Sequence, residues 1–181
     1  MKSGKRKGSQ YERIIAKFLS KWISNSDELV FWRSPSSGAL STISNVKEVS
    51  GDLVAIKPEG EWFTNIFSIE IKTGYPKFDF HKFILNDKTL IEDFWKQCTD
   101  DAYKYDKYGL LIFQKKGYKP IIGICDELKE KIIKHINNTD SIILCFSNAN
   151  LPCVTFYNMN EFFNKIKPEY LKKIKKRGTS K

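Results

Sequence analysis

The chain has 181 residues, 41% of them hydrophobic and 14% aromatic, enough for the core of one domain. No apolar run reaches the roughly 20 residues that span a bilayer, no signal-peptide stretch opens the chain, and neither the four cysteines nor the two separate histidines have the spacing of a zinc site or a disulfide framework. The formal net charge of +10 is confined to the ends, +4 over residues 1–7 and +7 over residues 165–181, because residues 8–164 carry 19 basic and 20 acidic side chains.

These bounds predict a cytosolic protein with four reduced, mostly buried thiols. Basic ends suit the phosphate backbone of a nucleic acid, where each neutralised phosphate releases counterions. Solubility tails or a membrane-surface segment are the alternatives.

Ser9-Gln10-Tyr11-Glu12 reads as a capping box opening an amphipathic helix, with Tyr11, Ile14, Ile15, Phe18, Leu19, Trp22 and Ile23 on the apolar stripe. The helix is expected to end within residues 24–26. Residues 29–33 predict a strand and residues 34–38 a Ser/Pro/Gly loop, while residues 39–48 fit no element. Residues 49–56 and 65–72 predict two strands, with Pro58-Glu59-Gly60 turning the chain between them into an antiparallel hairpin. Alternation puts Phe67, Ile69 and Ile71 on the core side and lets Glu70 and Lys72 emerge together on the other. Gly74-Tyr75-Pro76 ends that strand, and residues 77–92 read as irregular with one short helical piece. A helix over about 91–108 follows, then strands over 109–114 and 119–124, a helix over 126–136 with Asp126 as N-cap, and strands over 141–146 and 152–157. The pattern is mixed α/β, with no internal repeat and no interdomain linker.

The pattern that carries chemistry is Asp52 followed by Glu70-Ile71-Lys72. If the two strands pair, two carboxylates converge on an oxygen site for Mg²⁺ or Mn²⁺, with the Lys72 ammonium beside the attacking water. The triplet alone says little: with 11 Glu and 27 Lys in the chain, about 1.6 Glu-x-Lys triplets arise by chance and two occur. The second, Glu127-Leu128-Lys129, falls on a predicted helix, where its ends diverge. Taken singly, Glu70 and Lys72 also fit a surface ion pair.

Lys5-Arg6-Lys7-Gly8-Ser9, Glu12-Arg13, Arg33-Ser34-Pro35-Ser36-Ser37-Gly38, Gly51-Asp52, Glu70-Ile71-Lys72 and Gln97 follow the order seen in archaeal-type Holliday junction resolvases of the PD-(D/E)XK nuclease superfamily. The chain resembles that family over roughly residues 5–115. The resemblance implies a restriction-endonuclease-like α/β fold with a central mixed β-sheet flanked by helices. It also implies Mg²⁺- or Mn²⁺-dependent cleavage of DNA phosphodiesters to 5′-phosphate and 3′-hydroxyl ends and, for resolvases, a homodimer on branched DNA.

Carried over by resemblance, Asp52 and Glu70 are the metal-binding carboxylates, with the Ile71 backbone carbonyl as a further ligand and Glu12 supporting the site. Lys72 resembles the residue that orients or activates the water, Ser37 a catalytic loop serine, and Gln97 a helix glutamine near the site. Each has a plainer reading: Glu12 as the third residue of the capping box, Ser37 as loop chemistry, Asp52 as a turn cap, Gln97 as a solvated helix residue. Lys5, Arg6, Lys7 and Arg33, with Lys172, Lys173, Lys175, Lys176 and Arg177, are the residues expected on the nucleic acid.

The chain departs from the family at Gly51, which replaces the motif's proline, and in residues 39–50, where Lys47 is the one basic residue. It is also longer over residues 73–92 and beyond 115. One domain over 1–181 is expected, with flexible basic ends at 1–8 and 165–181. A less selective or sequence-directed DNA endonuclease, and a non-catalytic nucleic-acid-binding protein of the same fold, stay open. The set Glu12, Asp52, Glu70 and Lys72 favours an enzyme, since a binding module has no need of two carboxylates that repel phosphate.

Overall fold

The structure, a computed structural model, describes residues 4–34, 50–75, 90–146 and 150–178. Helix α1, Gly4–Ser24, buries Tyr11, Ile15, Ala16 and Leu19 along one stripe. It begins before Ser9, so the predicted capping box is not a helix start: Lys5, Arg6 and Lys7 are good helix formers and extend the first turns. Asn25, at φ 50°, closes the helix in the left-handed region that asparagine tolerates.

Strand β1, Phe31–Arg33, pairs antiparallel with β2, Leu53–Ala55. The predicted turn at Pro58-Glu59-Gly60 is instead the start of helix α2, Pro58–Ile66. Pro58 sits at the first helical turn, and Glu59 and Glu61 favour the positive end of the helix dipole. Gly60 lets α2 press on β1, since a Cβ there would come within 2.6 Å of the Val30 side chain. This helix corrects the expected hairpin. Strand β3, Phe67–Gly74, meets the Asp52 segment through a single parallel bridge, Gly51 to Ile69.

Helix α3 spans Leu90–Tyr103, stopping short of 108 because Asp106 adopts φ 55° and the Lys107 amide folds back on the Ala102 carbonyl. Then come β4, Tyr108–Lys115, β5, Ile121–Cys125, α4, Asp126–Ile136, β6, Ser141–Leu144, β7, Val154–Asn158, α5, Met159–Lys165, and α6, Pro168–Leu171. The N-cap of α4 is Cys125, so Asp126 stands inside the first turn rather than at the cap.

The main sheet has the order β3-β4-β5-β7-β6, with β3 and β4 parallel and the remaining pairs antiparallel. It is the expected mixed sheet flanked by helices. Helix α3 covers the β3 face that carries Ser68, Glu70 and Lys72: Phe94 meets Phe113 at 6.1 Å, and a Cβ on Gly109 would lie 2.8 Å from the Cys98 sulfur. On the other face, Phe63 of α2 links Trp22 of α1 to Phe67 of β3, at ring distances of 5.8 and 4.9 Å. Both faces of β3 are therefore covered, and Glu70 is buried rather than emergent.

One further expectation is corrected. Cys145 and Cys153 form a disulfide, while Cys98 and Cys125 are buried thiols. The pairing follows from register: Leu144 lies opposite Val154, so the next residues outward along this hairpin are Cys145 and Cys153. The C-terminal segment packs against the domain over residues 165–178. Leu171 is buried, the Arg177 amide donates to the Asp106 carbonyl, and the Arg177 guanidinium lies 3.6 Å from the Tyr103 ring centre and 3.1 Å from Glu127. Among the described residues no helix is long and apolar enough to cross a membrane.

Candidate active site

The edge of β3 that faces away from β4 is where the predicted residues meet. A strand residue directs its N–H and C=O to the same lateral side. The Ile69 carbonyl accepts from the Asp52 amide at 2.7 Å, and the Ile71 amide donates to Asp52 Oδ2 at 2.7 Å. The Ile71 carbonyl therefore opens on the side where Asp52 lies. Asp52 is held from a third direction by Ser34, whose amide donates to its carbonyl at 2.7 Å.

Gly51 makes this approach possible. At φ 77° it lies in the left-handed region, and a Cβ would come within 2.5 Å of the Ile69 carbonyl oxygen. Proline, whose φ is locked near −65°, does not fit that backbone. The departure from the family motif is a local requirement of this chain.

Glu70, 4% exposed, accepts from Lys72 Nζ at 2.5 Å. Lys72 also donates to Gln97 Oε1 at 3.0 Å and lies 5.4 Å from the centre of the Phe94 ring. Helical packing of α3 thus brings Gln97 to the ammonium. Glu12 and Arg33 form an ion pair at 2.9 Å, α1 meeting the end of β1, so Arg33 reaches the rim of the site while its charge is partly matched.

Burial and like charge act on the carboxylates together. Desolvation raises Asp52 to about 7, with Glu70 and Glu12 adding to the rise and the Ile71 amide and Lys72 opposing it. Glu70 is raised by burial, against the pull of Lys72 and with the help of Asp101 and Glu12. For Lys72, burial pulls downward, but its bond to Glu70 and the charges of Glu70 and Asp52 outweigh that and leave it raised. Two carboxylates that resist ionising side by side are groups a divalent cation would relieve.

The donor set Asp52, Glu70 and the Ile71 carbonyl is all oxygen, which suits Mg²⁺ or Mn²⁺. Among the described residues no group of three or more His, Cys, Asp or Glu is drawn together tightly enough to hold a metal ion by itself. Glu12, paired to Arg33, adds its negative charge to both Asp52 and Glu70. Ser37 lies outside the described residues.

Lys5, Arg6 and Lys7 stand on the first turns of α1. Of the C-terminal cations, Lys172, Lys173 and Lys175 are exposed, and Arg177 is turned inward to Glu127 and Tyr103. Three contributors escaped the sequence reading. Asp101, one helical turn beyond Gln97, presses on Glu70; that i, i+4 spacing was the available signal. Gly51 appeared as a departure rather than a requirement. Buried Lys107 donates to Ser50 at 3.1 Å, beside Gly51, and no sequence spacing announces that contact.

A family model described as "phage putative PDDEXK endonuclease" matches residues 3–173. No curated protein and no solved structure matches the chain.

Proposed function

Since this chain belongs to the phage PDDEXK endonuclease family, we propose that it is a metal-dependent endonuclease that hydrolyses DNA phosphodiester bonds at Asp52, Glu70 and Lys72. One observation carries the reading: Asp52, anchored on the Ile71 amide, and buried Glu70 converge with raised proton affinity at one strand edge. Two buried acids beside one lysine leave negative charge at this edge that a bound cation would offset.

Asp52, Glu70 and the Ile71 carbonyl would hold Mg²⁺ or Mn²⁺. When bound, the ion supplies positive charge beside the scissile phosphate and lowers the pKa of water. Lys72, fixed between Glu70 and Gln97, presents an ammonium that orients the attacking water and balances charge gathering on the phosphate oxygens. Glu12 holds Arg33 at the rim, where the guanidinium meets a neighbouring phosphate. Gln97 acts through Lys72 by limiting its rotamers. Exposed Lys172, Lys173 and Lys175 add cations for the backbone, in keeping with the basic ends of the chain.

The test is cleavage of four DNA forms, a four-way junction, a splayed fork, linear duplex and single strand, in Mg²⁺, Mn²⁺ or EDTA. Metal-dependent cleavage yielding 5′-phosphate ends is expected. Cleavage that persists in EDTA, or no cleavage of any form, would overturn the reading. The narrower reading, a two-fold dimer cutting four-way junctions at paired positions, rests on the resolvase resemblance, and symmetry is its physical reason. It requires junction preference and a dimeric mass in solution. A monomer that cuts linear duplex as readily removes it and leaves the chemistry standing.

A further inference from the structure

Away from the acidic centre, α1, α2 and the segment around α6 enclose a cleft of about 840 Å³ lined by Trp22, Trp62, Asn25, Lys167, Lys172 and Lys173. Its aromatic wall is fixed from behind. Trp22 and Trp62 each meet Phe63 edge-on, at 5.8 and 5.4 Å, and Trp22 Nε1 donates to the Phe163 and Ile166 carbonyls. Its basic rim is fixed by α6, where buried Leu171 anchors the chain immediately before Lys172 and Lys173. Glu59 and Glu169 also line it, so lysines outnumber glutamates by one.

Indoles lining a cleft with cations at the rim are the combination that binds single-stranded nucleic acid: bases stack on the rings and phosphates sit on the ammonium groups. A paired base lies inside the duplex stack and does not reach an indole wall. We propose that this cleft is a second nucleic-acid site, taking an unpaired stretch of DNA with a base against Trp62 and Trp22 and its phosphates on Lys172 and Lys173. Ten residues of α1 separate Trp22 from Glu12, about 15 Å of helix. A branch or single-stranded flank would thus be held apart from the strand that is cut. The choice of nucleic acid as ligand rests on the reading of the protein as a nuclease, but the cleft is tested without cleavage.

The experiment uses full-length Asp52→Ala protein in EDTA and follows the anisotropy of a labelled oligothymidylate, with duplex of the same length as competitor. Single strand is expected to bind in preference to duplex and to quench tryptophan emission. Trp62→Ala is expected to weaken binding roughly tenfold, as removal of one base-stacking ring does. The exposed pair Lys172→Glu and Lys173→Glu, which disturbs no core packing, is expected to weaken it at least as much and to flatten the log-log salt slope by about 0.7 for each phosphate no longer neutralised. Unchanged affinity in the lysine pair, or equal affinity for duplex with no quenching, would overturn the proposal. Preferential single-strand binding by a protein that cuts no DNA would sink the nuclease reading and leave the cleft standing.

Discussion

Asp52 and Glu70 sit in a conflict that their own protein does not resolve: both are withdrawn from water, Glu70 adds to the rise in Asp52, Asp101 and Glu12 add to the rise in Glu70, and Lys72 answers mainly Glu70. An acid raised in the folded state stabilises that state below its unfolded pKa and loses the contribution as pH rises through the folded value. For Asp52 the window runs from about 4 to about 7. Metal-free protein is therefore expected to melt at lower temperature at pH 8 than at pH 5, and Mn²⁺ to raise the melting temperature more at pH 8. Asp52→Asn keeps an acceptor for the Ile71 amide and removes the charge. The shift toward about 7 sets a ceiling of about 4 kcal/mol, which partial exposure reduces to roughly 1–2 kcal/mol. The metal-free Asp52→Asn variant should exceed wild type by that amount at pH 8, by about a third of it at pH 5, match it below about pH 4, and cleave nothing. Denaturant titrations at the two pH values measure this, and equal stability at pH 8 would mean that Asp52 carries no such burden.

At the scale of elements, the Asp52 segment is held against β3 by a glycine that has no tolerated substitute. Gly51→Ala is expected to cost about 2 kcal/mol or more, because a Cβ meets backbone at 2.5 Å and φ is positive. The same change should lower Mn²⁺ affinity, since Asp52 moves with its neighbour; an unaltered melt and titration would show that the segment relaxes freely. The disulfide closes a short hairpin loop, so Cys145→Ser should cost roughly 2 kcal/mol, read as a lower denaturant midpoint. These elements also mark what the sequence made legible. Strong periodicity located α1, α4 and the strands of the main sheet, and put Glu70 and Lys72 on one face. It misread residues 58–60 because proline and glycine signal a turn as readily as a first helical turn, and helix α2 replaced the hairpin. Asp52 still reaches Glu70, through a parallel bridge instead of a ladder. The Lys72–Gln97 bond and the Cys145–Cys153 pairing depend on packing and register, which local pattern does not encode.

For the molecule as a whole, charge and packing are joined at the C-terminus. Composition alone reads residues 165–181 as a detachable basic arm, but Ile166 and Leu171 are buried and Arg177 bridges Tyr103 and Glu127. Deleting residues 165–181 is therefore expected to lower the melting temperature by roughly 5–10 °C as well as weaken DNA binding. An unchanged melt would return the segment to the status of an arm. Charge reversal at exposed lysines separates the two effects, because it leaves the core packing in place.

The most direct test of the Asp52–Glu70 centre is a calorimetric titration of Mn²⁺ into wild type, Asp52→Ala and Glu70→Ala at pH 8. Wild type is expected to bind Mn²⁺ through its ionised carboxylates, and both variants to bind at least tenfold more weakly while still folded. Equal Mn²⁺ affinity in all three proteins would contradict the assignment of these carboxylates as the metal site.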